Sequence, residues 1–397
     1  MGSAERRHSA DAFDLFAVAA PGLEPLVAHE LKALGLRPRP NEAGGISFNG
    51  SFEDLARANL WLRTATRVVA RVGEFHARAF GELERHARRL PWNRVLTPRR
   101  PIRLRVTCKK SRLYHSDAVA ERLAGAIDAR LGASANFTVA KGEDEDAPDD
   151  AQLIVARVFH DRCTVSADTS GALLHRRGYR LATGKAPLRE TLAAAMLLGS
   201  GWDPSRPLVD PMCGSGTIPI EGALLARRIP PGLYRRFAFM DWPDFDAQRW
   251  ERMLDAARAQ ILPHAAAAIS GSDRDGGAIE AAHANAERIG VGGDIEFRQA
   301  ALSAITLPRG PGWMVTNPPY GTRVGDRDKL RNLYAQLGNV ARAKAVRWTL
   351  AFLSPAAELE TRVGVELSSV FQTRNGGIPV RLVRGRVGGA IKLRSRR

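Results

Sequence analysis

The 397-residue chain is 44% hydrophobic and carries 59 Lys and Arg against 42 Asp and Glu, a net charge of +17. Its length predicts two or three domains with real cores, and no stretch approaches the roughly 18 apolar residues that a membrane-spanning helix needs. The surplus of positive charge favours a polyanionic partner, because each neutralised phosphate releases counterions.

Three cysteines, Cys108, Cys163 and Cys213, are widely spaced and odd in number. Neither a disulfide framework nor a Cys-x-x-Cys metal site is expected from them, so no metal is predicted. A reducing cytoplasm is the natural compartment, and no charged-then-apolar leader opens the chain.

Leu15 to Ala19 predicts a short strand, Pro21-Gly22 a turn, and Glu24 to Leu34 a helix stopped by Gly35. "GGISFNG" reads as a hairpin strand, and Ser51 as the N-cap of the helix that follows. From Glu74 to Asp161 the pattern stays mixed. Ile102, Leu104 and Val106 alternate with Arg103 and Arg105, a half-buried strand with a cationic face. Two short strands are expected to join at His160-Asp161, and the acidic run Gly142–Asp150 reads as a solvated loop. Together these suggest a small α+β unit. A basic connector, a helix start at Pro187 and an alanine-rich helix ending near Gly199 mark a boundary. From Trp202 onward strand, turn and helix repeat, the mark of an α/β fold with a doubly wound, mostly parallel sheet.

Three motifs in that second half carry chemistry. In "RPLVDPMCGSGTIPIEGALLARR" a strand ends at Asp210, and Gly214 and Gly216 allow a sharp turn and close approach of a ligand. The lack of Gly-Lys-Ser/Thr excludes a phosphate-cradling P-loop. In "AAISGSDRDGGAIEAAHANAERIGV" Asp273 follows a strand, where an acid can accept both hydroxyls of a ribose, while Asp275 suits the N-cap of the next helix. Between these two motifs, residues 229–250 hold Pro-Pro-Gly and an aromatic-basic mix that suggests a surface flap.

The third motif, "GWMVTNPPYGTRVG", places Asn317, Pro318, Pro319 and Tyr320 at the carboxyl end of a short strand. Proline fixes φ and biases the preceding residue to extended geometry, so Asn317 is held rigidly. The Asn317 amide oxygen and the Pro318 carbonyl form a pair of acceptors suited to a planar NH₂ group. Tyr320 supplies a stacking face for a flipped base.

Taken together, "DPMCGSGT", "SDRD…A…NA" and "NPPYGTRVG" resemble the class I S-adenosylmethionine-dependent amino-methyltransferases. With "APGLEPLVAHEL" near the start and "DTSGALLHRRGYR…GKAPLRETLAAA" at the junction, the chain resembles more narrowly the THUMP-domain RNA methyltransferases, especially the large-subunit ribosomal RNA guanine-N2 family. The resemblance implies a ferredoxin-like segment over 1–60, a THUMP RNA-binding domain over 61–168, a connector over 169–190 and a Rossmann-like methyltransferase domain over 191–397. It implies S-adenosylmethionine as cofactor, with its methionine end over Asp210, Cys213, Gly214, Gly216 and Thr217. Asp273 would hold the ribose, and Thr183 to Leu188, with Pro187 and Leu188 foremost, would close over the cofactor. One departure stands out: where the family usually carries an acid reaching the adenine amine, this chain has Ala300 and Ala301.

The expected activity is methyl transfer to an exocyclic amine of an RNA base, guanine N2 in 23S ribosomal RNA. The motif admits rivals: an adenine-N6 methyltransferase on RNA or DNA, a transfer RNA guanine-N2 enzyme, or a non-catalytic RNA-binding assembly factor. Lys109, Lys110, Arg112, Arg176, Arg177 and Arg180 form a candidate set of phosphate contacts. The residues do not fix the oligomeric state.

Overall fold

A computed structural model describes residues 12–98, 100–132, 136–140, 151–180, 188–320 and 327–388. Strict alternation builds the first strand, β1 (Phe13–Ala19): Phe13, Leu15, Ala17 and Ala19 are buried and the residues between them half-buried. Helix α1 (Glu24–Ala33) follows, then the hairpin β2 (Pro38–Glu42) and β3 (Gly45–Gly50). Ser51 caps α2 (Phe52–Trp61) in a capping box with Asp54, satisfying two amide donors that a helix start leaves open. The chain continues through β4 (Ala65–His76), α3 (Phe80–Ala87), β5 (Ile102–Lys109), α4 (Ser116–Leu131) and β6 (Phe137–Val139).

Strands β7 (Gln152–Phe159) and β8 (Arg162–Asp168) are joined at His160 and Asp161, both in the left-handed region at φ 51° and 60°. That is the turn geometry whose twist matches two antiparallel strands. The eight strands form one sheet in the order β2-β3-β1-β4-β8-β7-β5-β6, with β5 parallel to β6 and β7 and the other pairs antiparallel. The acidic run expected as a loop lies outside the described residues.

The chain divides into two compact units. One takes the segment through Ala19, Val27–Leu174 and Tyr234–Asp255; the other takes Ala20–Leu26, His175–Leu233 and the remainder from Ala256. This corrects the expected flap at 229–250. Phe237, Phe239, Trp242 and Trp250 are buried. The rings of Phe237 and Phe239 stack with centroids 5.4 Å apart, and Trp250 meets both edge-on at 5.9 and 5.5 Å. The Trp242 indole N–H donates to Gln152 Oε1 at 2.9 Å, and Arg235 donates to the carbonyl oxygens of Leu173 and Ser170 at 2.8 and 3.2 Å. Aromatic side chains bring large apolar areas and polar tips that need partners, and here both needs are met inside the first unit.

The second unit is built on α5 (Glu190–Ser200), β9 (Leu208–Asp210), α6 (Thr217–Ala226), β10 (Ile269–Asp273), α8 (Gly276–Arg288), β11 (Ile295–Gln299), β12 (Trp313–Thr316), α9 (Arg327–Lys344), β13 (Thr349–Ser354), α10 (Ala357–Val363), β14 (Ser368–Asn375) and β15 (Ile378–Arg386), while α7 (Ala247–Arg258) lies mostly in the first unit. Its seven strands run β11-β10-β9-β12-β13-β15-β14. The first five are parallel, and β15 lies antiparallel between β13 and β14. The chain winds outward from β9 in one direction and returns at β12 to wind in the other. The carboxyl ends of these two neighbours form the switch point where open α/β sheets bind ligands. Val209, Met314, Leu350 and Phe352 pack with Tyr334 and Leu337 of α9 in the core beneath that rim.

Candidate active site

Strand β9 ends at Asp210, the next residues turn, and α6 begins at Thr217. Gly214 and Gly216 hold φ 51° and 83°, conformations that cost most residues about 1–2 kcal/mol. They serve different ends. A Cβ on Gly214 would meet nothing within 4 Å, so its backbone is open to a ligand. A Cβ on Gly216 would come within 2.9 Å of the Phe297 ring and 3.0 Å of Ala282, so this glycine lets the turn pack on the sheet.

The Gly214 N–H donates to Asp273 Oδ2 at 2.9 Å, and the Asp275 N–H to Asp273 Oδ1 at 3.0 Å. Asp273 therefore ties the two turns together while keeping lone pairs on its open side. Asp275 caps α8, accepting from Gly277 and Ala278 at 3.0 and 3.4 Å, the division between the two acids that their spacing suggests.

Asp210 is 1% exposed, and its Oδ1 accepts from the Thr316 hydroxyl at 2.6 Å and the Met212 N–H at 3.1 Å. Burial pushes its carboxyl up to about 7, the two donors oppose the rise, and the charge of Asp273 adds to it. Cys213 is buried against the same acids, which holds its thiol far above the ordinary range and leaves it a packing group.

Asn317 follows β12 directly, and its Oδ1 is buried with no hydrogen-bond partner among the described residues. Pro318 is buried and Pro319 exposed. The Tyr320 hydroxyl accepts from Asn375 Nδ2 at 2.6 Å, a contact that fixes the ring from the β14–β15 turn. Burial raises its pKa and this hydrogen bond opposes the rise.

One cavity of about 1080 Å³ gathers Leu188, Asp210, Cys213, Gly214, Thr217, Asp273, Asn317 and Pro319. Gly216, Pro318 and Tyr320 are not among its lining residues, and Pro187 lies outside the described residues. The cavity also takes in Lys329, Asn332 and Gln336 of α9, which sequence reasoning missed. Their spacing of three and four residues, one helical face, was the available signal.

The predicted phosphate contacts divide. Lys109, Lys110, Arg112 and Arg176 are exposed. Arg177 and Arg180 correct the expectation. The Arg177 side chain is 1% exposed and pairs with Glu221 at 3.4 Å. Arg180 donates to the Leu188 carbonyl at 2.9 Å and to Thr217 Oγ1 at 2.7 Å and pairs with Glu190 at 3.4 Å, bracing the cavity from behind. Burial and the surrounding arginines hold His175 down to about 3, so it stays neutral.

A glycine turn, an acid at the neighbouring strand end and a polar cavity over the switch point define a class I methyltransferase. Comparison with known proteins agrees. Residues 177–384 match the RMKL-like methyltransferase domain, and residues 14–69 the RlmL ferredoxin-like domain. A Synechocystis relative whose name places it among RNA methyltransferases is 36% identical over 371 residues, 93% of this chain and 95% of that protein. The ribosomal RNA large subunit methyltransferase K/L of Syntrophotalea carbinolica is 36% identical over 383 residues, and this chain, 93% covered, spans 53% of it. The crystal structure of SMU.472 complexed with SAH superposes with a TM-score of 0.85 at 31% identity, covering 96% of this chain and 99% of that one. The chain belongs to the RMKL-like methyltransferase family and uses S-adenosylmethionine.

Proposed function

We propose that the protein methylates an exocyclic amine of a base in RNA, guanine N2 in large-subunit ribosomal RNA. The observation that carries this reading is the Asn317 amide oxygen, a buried acceptor at the wall of the cavity without a partner among the described residues. Leaving such an atom unmade costs about 1–3 kcal/mol, so it is suited to a donor that arrives with the substrate. Support for RNA comes from the names of the relatives, the net charge of +17 and the resemblance of residues 61–168 to a THUMP domain. With 1–60 as ferredoxin-like segment, 169–190 as connector and 191–397 as catalytic domain, a ribosomal substrate also supports a cytoplasmic location.

The residues present fit the cofactor. The open face of Gly214 admits close approach, Asp273 has acceptors for ribose hydroxyls, and Asp210, when ionised, suits the methionine ammonium group, with Cys213, Gly216, Thr217 and Leu188 shaping the turn and wall. S-adenosylmethionine supplies an electrophilic sulfonium methyl. The task left to the chain is to make a poor nucleophile attack, because the lone pair of a base amine is delocalised into its ring. Accepting the two N–H bonds on Asn317 Oδ1 and the Pro318 carbonyl turns the lone pair out of conjugation and aims it. Tyr320, held by Asn375, and Pro319 offer faces for the extruded base. The proton becomes acidic only after methylation, so no strong base is required beforehand. Positioning supplies most of the acceleration, for which roughly 7–11 kcal/mol is available.

Nucleoside mass spectrometry of RNA from a deletion strain tests this. Loss of N2-methylguanosine from large-subunit RNA, restored by the wild-type gene and not by Asn317→Ala, is expected. Because the acceptor pair fits either amine, loss of N6-methyladenosine would instead favour the adenine reading, and loss confined to transfer RNA would move the substrate.

A further inference from the structure

The cofactor fit leaves one part unmatched. At the end of β11, beside the Asp273 carbonyl that accepts the Ala300 N–H at 2.9 Å, stand Ala300 and Ala301, whose methyl groups hydrogen-bond nothing. Of the acceptors on the β9–β10 side of the cavity, Asp210, Thr217, Asp273 and Asp275 each hold a neighbour; Ser215 sits in the glycine turn, and Arg274 is an exposed cation with no side-chain acceptor to offer an amine. The opposite wall is α9, where Lys329, Asn332 and Gln336 share one exposed face. None of the three hydrogen-bonds another described residue.

Their depths differ. Lys344, at the far end of α9, donates to the carbonyl oxygens of Ser303 and Ile305 at 2.7 and 2.9 Å, and Leu302 packs with Tyr334 and Leu337. The segment leaving β11 therefore runs beside the second half of α9. At about 1.5 Å per residue, Gln336 lies roughly 6 Å further along the helix than Asn332 and roughly 10 Å further than Lys329. Of the three it stands nearest along the helix to Tyr334 and Leu337, which share a buried cluster with Leu302, whereas Lys329 stands toward the helix start that follows the Asn317 motif.

We propose that Gln336 reads the adenine of S-adenosylmethionine. Its Oε1 accepts from the 6-amine and its Nε2 donates to N1, a bidentate match of a planar amide to a Watson–Crick edge. A carboxylate could make only the first of these contacts. The assignment rests on the cofactor reading and is independent of which nucleic-acid base is methylated.

Calorimetric titration of the full chain with S-adenosylhomocysteine, and with its analogue bearing hydrogen in place of the 6-amine, tests the assignment without any methyl transfer. Wild type should prefer the amine-bearing ligand by about fivefold, the value of one neutral hydrogen bond. Gln336→Ala should bind S-adenosylhomocysteine about tenfold more weakly and lose that preference, while Asn332→Ala keeps it. The ratio within one variant does not depend on how much of it is folded, and alanine is the best helix former for an exposed site. A Gln336→Ala protein that retains the fivefold preference would overturn the proposal, as would its loss in Asn332→Ala alone. A wild-type chain that binds neither ligand would overturn the cofactor reading beneath it.

Discussion

The two walls of the cavity are made differently. On the β9–β10 side every acid accepts from backbone amides: Asp210 from Met212, with the Thr316 hydroxyl beside it, Asp273 from Gly214 and Asp275, and Asp275 from its own helix. On the β12–α9 side four polar groups have no hydrogen-bond partner among the described residues: Asn317 Oδ1, buried, and the exposed ends of Lys329, Asn332 and Gln336. A wall that is already hydrogen-bonded is a preorganised mould for a ligand always present, and a wall of waiting groups is a place for recognition. The contrast predicts that damage at Asp210 or Asp273 changes cofactor affinity and damage at Asn317 changes chemistry, with Gln336 the one waiting group whose loss is felt by the cofactor.

Asn317→Ala is the strongest test. Loss of one preorganised polar contact should lower turnover by about 10²–10³, while calorimetric affinity for S-adenosylhomocysteine stays within about twofold. Equal losses in both would dissolve the distinction between the walls.

The pH response of Asp210 probes the mould. With its pKa raised to about 7 against roughly 3.9 in the unfolded chain, the folded state holds the proton more tightly. Its contribution to stability is full below about pH 4 and is lost as pH rises through 7. Cofactor binding has the opposite slope, since the ammonium group needs the ionised carboxylate: affinity should rise by up to about tenfold per pH unit from pH 6 to 7 and then level. Asp210→Asn should flatten that profile and melt higher than wild type at pH 8.

Thr316→Val removes the 2.6 Å donor to Asp210. It should cost about 1–2 kcal/mol of stability in denaturant titration and move the inflection of the affinity profile to higher pH, because the ionised form loses a hydrogen bond. Smallest is Asn375→Ala, which frees Tyr320: a fall of about fivefold in kcat/KM for RNA is expected, with cofactor affinity unchanged.

Much of this site was legible in the sequence because its parts are local. A glycine run after a strand, an acid at the next strand end and Asn-Pro-Pro-Tyr after a third each depend on a few neighbouring residues, and the parallel sheet brings them to one rim. What was not legible depends on distant partners. Arg177 and Arg180 look like solvated charge until Glu221 and Glu190 are found beside them. The α9 stripe is an ordinary polar face until it is known which cavity it meets. Residues 229–250 looked like surface because prolines and arginines punctuate them, while the fate of Phe237, Phe239, Trp242 and Trp250 is set by Gln152 and the core of an earlier stretch of chain.

That last feature has a consequence for biogenesis. The first unit lacks its aromatic cluster, and Gln152 its indole donor, until Trp242 and Trp250 have been synthesised, by which point β9 and α6 of the second unit already exist. The amino-terminal unit therefore cannot finish folding as it leaves the ribosome ahead of the catalytic unit. The two mature as interleaved threads of one chain, and a cut between them at Leu174 would leave the earlier one unfinished.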